Sequence, residues 1–142
     1  MEALIQEKLH EIEKRENCRI LLAVESGSRA WGFASPDSDY DVRFIYVRDR
    51  ESYLKLNRPR DVIELPINDV LDINGWDVEK ALKLLHKSTP TVFEWFSSPI
   101  VYQTTDFTEA FKPVMRRYFS SKSGLWHYLQ MAEGNYREYL RG

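Results

Sequence analysis

Glu25-Ser26-Gly27-Ser28-Arg29-Ala30-Trp31-Gly32, followed by Ser38-Asp39-Tyr40-Asp41-Val42, decides how this chain is read. The first stretch places a Gly-Ser turn after an apolar run, Ile20-Leu21-Leu22-Ala23-Val24. After a gap of ten residues, two carboxylates one residue apart open a second apolar run that ends at Val47. Gly27 lets the backbone come close to a phosphate. Ser28 offers a hydroxyl and an N–H, and a short helix over 28–33 would add its N-terminal amides and dipole. Side chains alternate along a strand, so Asp39 and Asp41 share a face with Cα atoms roughly 6.6 Å apart. Such a pair suits one divalent ion, or two held about 3.5–4 Å apart. Magnesium is the natural ion, because it takes oxygen ligands and keeps positions for water and phosphate oxygens. A phosphate-holding turn facing a metal-holding pair is the minimum equipment for handling a nucleoside triphosphate.

A third acidic group is needed to complete such a site and to help deprotonate an attacking hydroxyl. Asp72, between Leu71 and Ile73, is the first choice, and Glu64, between Ile63 and Leu65, competes with it. Both have the surroundings of a carboxylate on a buried strand, which is costly unless paired or bound to metal.

The pattern Gly27-Ser28, then Asp39-Tyr40-Asp41, then a lone acidic residue on a later strand resembles the DNA polymerase β-like nucleotidyltransferase superfamily. Further segments narrow the resemblance to the bacterial RNA-repair-pathway nucleotidyltransferases of the RlaP or YcgL type. They are Ser38-Asp39-Tyr40-Asp41-Val42-Arg43, Asp72-Ile73-Asn74-Gly75-Trp76-Asp77, Lys80-Ala81-Leu82 and Glu94-Trp95-Phe96-Ser97-Ser98-Pro99-Ile100. The resemblance implies a nucleotidyltransferase fold and transfer of a nucleoside monophosphate from an NTP, ATP first, to an acceptor hydroxyl. It implies magnesium or manganese on Asp39, Asp41 and Asp72, and the β- and γ-phosphates on Gly27 and Ser28. Arg29 or Arg43 would neutralise the leaving pyrophosphate. RNA as the acceptor rests on this resemblance alone. The alternatives are an antitoxin-like AMP transfer to protein and a non-catalytic nucleotide-binding domain. Members of the family are longer than 142 residues, so this chain reads as a short member or a fragment. A missing C-terminal helical part would then hold base or acceptor contacts.

The remaining sequence supplies a scaffold. At 142 residues, 43% hydrophobic and 30% charged, the chain has the profile of one packed globular domain. Leu4, Ile5, Leu9 and Ile12 predict a helix over 3–16. Val42 to Val47 predicts the second strand, and 48–60 a charged excursion with one helical turn near Tyr53-Leu54. Short strands are expected at 62–65 and 70–73 around a turn with Pro66 and Asn68-Asp69. A helix over 77–88 follows, preceded by Asn74 or Gly75, with Asp77 and Glu79 at its N-terminal dipole and Pro90 beyond it. Helices are expected at 91–97, 106–119 and 122–140. The order predicts an α+β arrangement, with a small mixed sheet flanked by helices and a C-terminal helical part. Residues 1–105 form the expected nucleotidyltransferase domain, and 106–142 a helical extension packed on it.

Other features favour ordinary roles. A net charge of −2 gives no global support for nucleic-acid binding, and Arg48, Arg50, Lys55, Arg58 and Arg60 read as a solvated face. His10, His86 and His127 have no metal-ligand spacing. Trp76, Trp95 and Trp126 read as packing, with Trp31 the exception that could stack on a base. Lys80 reads as exposed unless it faces Asp72. The lone Cys18 fits a buried inert thiol in a reducing cytoplasm. No apolar run is long enough to span a membrane, and the N-terminus lacks the order of a signal peptide.

Overall fold

A computed structural model describes residues 1–32, 39–66, 70–87 and 90–119. The Asn68-Asp69 turn and the helix expected at 122–140, with Trp126 and His127, lie outside the described residues.

The fold is α+β with a five-stranded mixed sheet. Its strands are β1 (Cys18–Glu25), β2 (Tyr40–Arg48), β3 (Val62–Glu64), β4 (Leu71–Asp77) and β5 (Val101–Thr104), in the spatial order β3-β4-β2-β1-β5. β1 runs antiparallel to β2 and β5, β3 runs antiparallel to β4, and β2 and β4 are parallel. Helix α1 (Glu2–Glu16) covers one face. Its Ile5, Leu9 and Ile12 pack with Ile20, Val42, Phe44, Tyr46, Leu71 and Ile73. The other face meets α3 (Val78–His86) and α4 (Pro90–Ser97), where Ala81 and Trp95 pack on Leu22, Val24 and Ile45. Helix α5 (Asp106–Phe119) joins this layer through Phe111 and Met115. The short α2 (Arg50–Leu54) lies in the charged excursion. With both faces covered, β1 is buried from Ile20 to Glu25, which explains its unbroken apolar run. The Trp76 and Trp95 rings stack 4.0 Å apart, as packing residues do.

One expectation needs correction. Asn74 and Gly75 do not cap a helix, because β4 continues through them to Asp77. Asp77 is the cap, its carboxylate accepting the Glu79 N–H. Val101–Thr104, between the helices expected at 91–97 and 106–119, pairs with β1 as an edge strand. The glycine at 75 answers to packing. It sits opposite Phe44 in the β2–β4 register, and a Cβ there would lie 2.1 Å from the Phe44 ring.

Gly75→Ala should therefore lower stability by about 1–3 kcal/mol through overpacking, measured by urea unfolding. In a Phe44→Leu background, which removes the ring, the added cost of Gly75→Ala should shrink by at least half. An equal cost in both backgrounds would separate Gly75 from Phe44.

Candidate active site

β1 ends at Glu25, and the chain then turns through Ser26 and Gly27 into one 3-10 turn, Ser28–Trp31. The Ser26 N–H donates to the Asp41 carbonyl at 2.9 Å, so the turn stays attached to β2. Gly27 lies against the Asp41 side chain: a Cβ at 27 would fall 2.0 Å from Asp41 Oδ2. No other residue type fits there without moving the carboxylate. Ser28 is exposed beside it. Four residues of 3-10 turn give less dipole than the longer helix that the anion-binding argument assumed.

Asp39 is exposed just before β2, and Asp41 is half-buried near its start. Asp41 stands in register with Asp72 on the parallel strand β4. Register partners share a sheet face, so Asp41, Asp72, Arg43 and Asn74 point to the same side. Glu64, on the outer strand β3, is exposed opposite Asn74. The side chain of Asp72 is engaged within the protein. Arg43 donates to its Oδ2 at 2.9 Å and to its backbone carbonyl at 3.1 Å, and Asn74 donates to Oδ1 at 3.2 Å. Among the described residues no three His, Cys, Asp or Glu side chains are arranged to hold a metal ion.

Arg29 follows in the 3-10 turn, with its guanidinium carbon 3.8 Å from the centroid of the Tyr40 ring. The basic cluster of the excursion is partly tied down. Arg58 pairs with Glu79 at 2.9 Å, and Arg48 donates to the Glu16 carbonyl. Lys80 lines a polar cleft with Arg48, Arg58 and Asp77. The half-buried Cys18 has its thiol pushed up to about 11 by burial, which keeps it unreactive.

Sequence reasoning passed over Glu25. Its carboxylate is fully buried at the end of β1. Oε2 accepts the Asp41 N–H at 2.7 Å and the Gly27 N–H at 3.4 Å, and Oε1 accepts the Tyr102 hydroxyl at 2.7 Å. Burial pushes this carboxyl above its usual range, while the hydroxyl and the two amides oppose that rise. All three partners are donors, so the pocket is built for the anion. The signal available beforehand was an acid ending a fully apolar strand, directly before the Gly-Ser turn.

A five-stranded mixed sheet flanked by helices, with a Gly-Ser turn pressed onto an acidic strand, is consistent with a nucleotidyltransferase-like fold. The chain belongs to the RNA repair pathway DNA polymerase beta family, whose model matches residues 1–142. It is 48% identical over 143 residues to the protein called "Uncharacterized protein YcgL" of Bacillus subtilis (strain 168). That alignment takes in 100% of this chain and 55% of the relative, so the chain spans about half the relative's length. No solved structure gives a significant match. Among the described residues no helix is long and apolar enough to cross a membrane.

Removing the Glu25 carboxylate strands two amides at the site, and a buried group without its partner costs about 1–3 kcal/mol. Glu25→Ala should thus destabilise the domain by on the order of 3 kcal/mol in denaturant titrations. Glu25→Gln keeps an acceptor for the amides and should lose less than half as much. Equal losses would mean that the amides do not depend on that oxygen.

Proposed function

We propose that this domain binds a nucleoside triphosphate, ATP first among them, together with a divalent cation. It then passes the nucleoside monophosphate to an acceptor hydroxyl, and an RNA end is the acceptor that the family description points to. The observation that carries this reading is the contact between Gly27 and Asp41, which makes the phosphate turn and the acidic strand one unit. In that unit the exposed Ser28, with its hydroxyl and N–H, holds the β- and γ-phosphates, and Gly27, whose own N–H donates to Glu25, lets the backbone come close to them. Arg29, next along the chain, offsets the charge of the departing pyrophosphate. Arg43, the other candidate arginine, is engaged with Asp72.

The donor set Asp39, Asp41 and Asp72 is all oxygen, which fits magnesium or manganese. Asp39 and Asp41 would hold the ion with the substrate phosphates, and Asp72 would join by exchanging Arg43 for it. Bound there, the ion supplies charge neutralisation and orientation of the phosphates. The chain's own part is to orient the phosphates at the turn and to accept the acceptor's proton, for which Asp72 is the candidate base.

The Arg43–Asp72 pair also favours a second reading, a nucleotide-binding domain without turnover. A guanidinium on the third carboxylate already provides the positive charge that a second metal would bring.

Replacing Asp39 and Asp41 together with Asn should abolish magnesium-dependent ATP binding in calorimetry while the circular dichroism melting curve persists. Full metal-dependent binding by the double variant would remove these residues from the site. With the full-length protein, α-phosphate-labelled ATP and a mixture of RNA and lysate protein, label in RNA supports the repair reading. Label in protein supports AMP transfer to a side-chain hydroxyl. Intact binding without label supports the non-catalytic domain.

A further inference from the structure

The α1 face of the sheet carries an open groove of about 390 Å³ walled by Ile5, Arg29, Tyr40, Ile100 and Tyr102. Tyr40 and Tyr102 both pack against the core under α1, which puts the groove on the other side of β2 from Asp41 and Asp72. Its lining combines two aromatic rings, two branched aliphatic side chains and one guanidinium with Met1 and Glu2. Arg29 and Tyr40 already form a stacked pair 3.8 Å apart. Arginine planes and tyrosine rings are the surfaces on which nucleobases stack. A plain aliphatic ligand would gain nothing from the guanidinium.

The groove is also tied to the phosphate turn at three points. Arg29 follows Ser28 directly, and Tyr40 sits between Asp39 and Asp41. The Tyr102 hydroxyl binds Glu25, which in turn holds the amides of Gly27 and Asp41. A nucleotide seated by its phosphates on the turn reaches the groove by passing over the start of β2.

We infer that this groove holds a nucleobase, which belongs either to the nucleotide on the Gly27-Ser28 turn or to the terminal nucleotide of a nucleic-acid acceptor. The inference rests on the nucleotide-binding reading for its chemistry, and its test separates the two. Calorimetry with magnesium would compare ATP, inorganic tripolyphosphate and an RNA trinucleotide with a free 3′-hydroxyl. The proteins would be the parent, Tyr40→Leu and Ile100→Trp, each checked for an unchanged melting curve. If the groove grips the donor base, ATP binds about tenfold tighter than tripolyphosphate, the scale of one base stack. Both variants should then bring that margin within twofold, and Ile100→Trp should leave tripolyphosphate affinity alone. If it grips the acceptor base, ATP shows no margin and trinucleotide affinity falls about tenfold in both variants. ATP and trinucleotide binding that ignore both substitutions would overturn the inference. Loss of tripolyphosphate and ATP binding in the parent would instead count against the phosphate site, leaving the trinucleotide to decide the groove.

Discussion

A single buried carboxylate oxygen joins the two halves of the motif. Glu25 Oε2 takes the amide of Gly27 from the turn and the amide of Asp41 from the acidic strand. Neither amide has a strand partner positioned to replace it, since the turn leaves the ladder here. An anion this deep is tolerable only because donors surround it. Tyr102 provides the third donor, and the backbone of Glu25 is held as well. Its N–H donates to the Ile100 carbonyl at 3.0 Å, and its carbonyl accepts Ser98 Oγ at 2.5 Å. The edge strand thus braces the turn from behind, while the turn itself faces the solvent and any ligand.

The same economy of charge governs the neighbouring strands. Parallel pairing of β2 and β4 sets Asp41 and Asp72 side by side, about 4.8 Å apart at the backbone. Two carboxylates that close repel each other unless a cation intervenes. Arg43, two residues along from Asp41 on the same face, provides that cation from within the chain.

The parts legible in the sequence were those whose cause is local. Ile20 to Val24 reads as a buried strand because every residue in it is apolar, and Asp72 stands out because acids rarely sit between Leu and Ile. Other features depend on distant partners. Gly75 looks like a helix boundary until the Phe44 ring is placed over it. β5 is four residues long and lies between two helices, too short a run to show its period. Glu25 reads as an ordinary polar strand end, because the tyrosine that explains it comes 77 residues later. The pairing of Arg43 with Asp72 depends on the register of β2 and β4, which sets residues 29 positions apart within reach.

That separation along the chain bears on how the site comes into being. During synthesis from the N-terminus, the turn and the acidic strand leave the ribosome first, followed by Asp72. Glu25 meanwhile has a charge to bury and no Tyr102 or Ser98 to meet it, since those lie 77 and 73 residues further on. Closing so long a loop is a slow, late event in folding. The nascent chain therefore emerges with its Gly-Ser turn unbraced, and the turn becomes rigid only when the last strand docks.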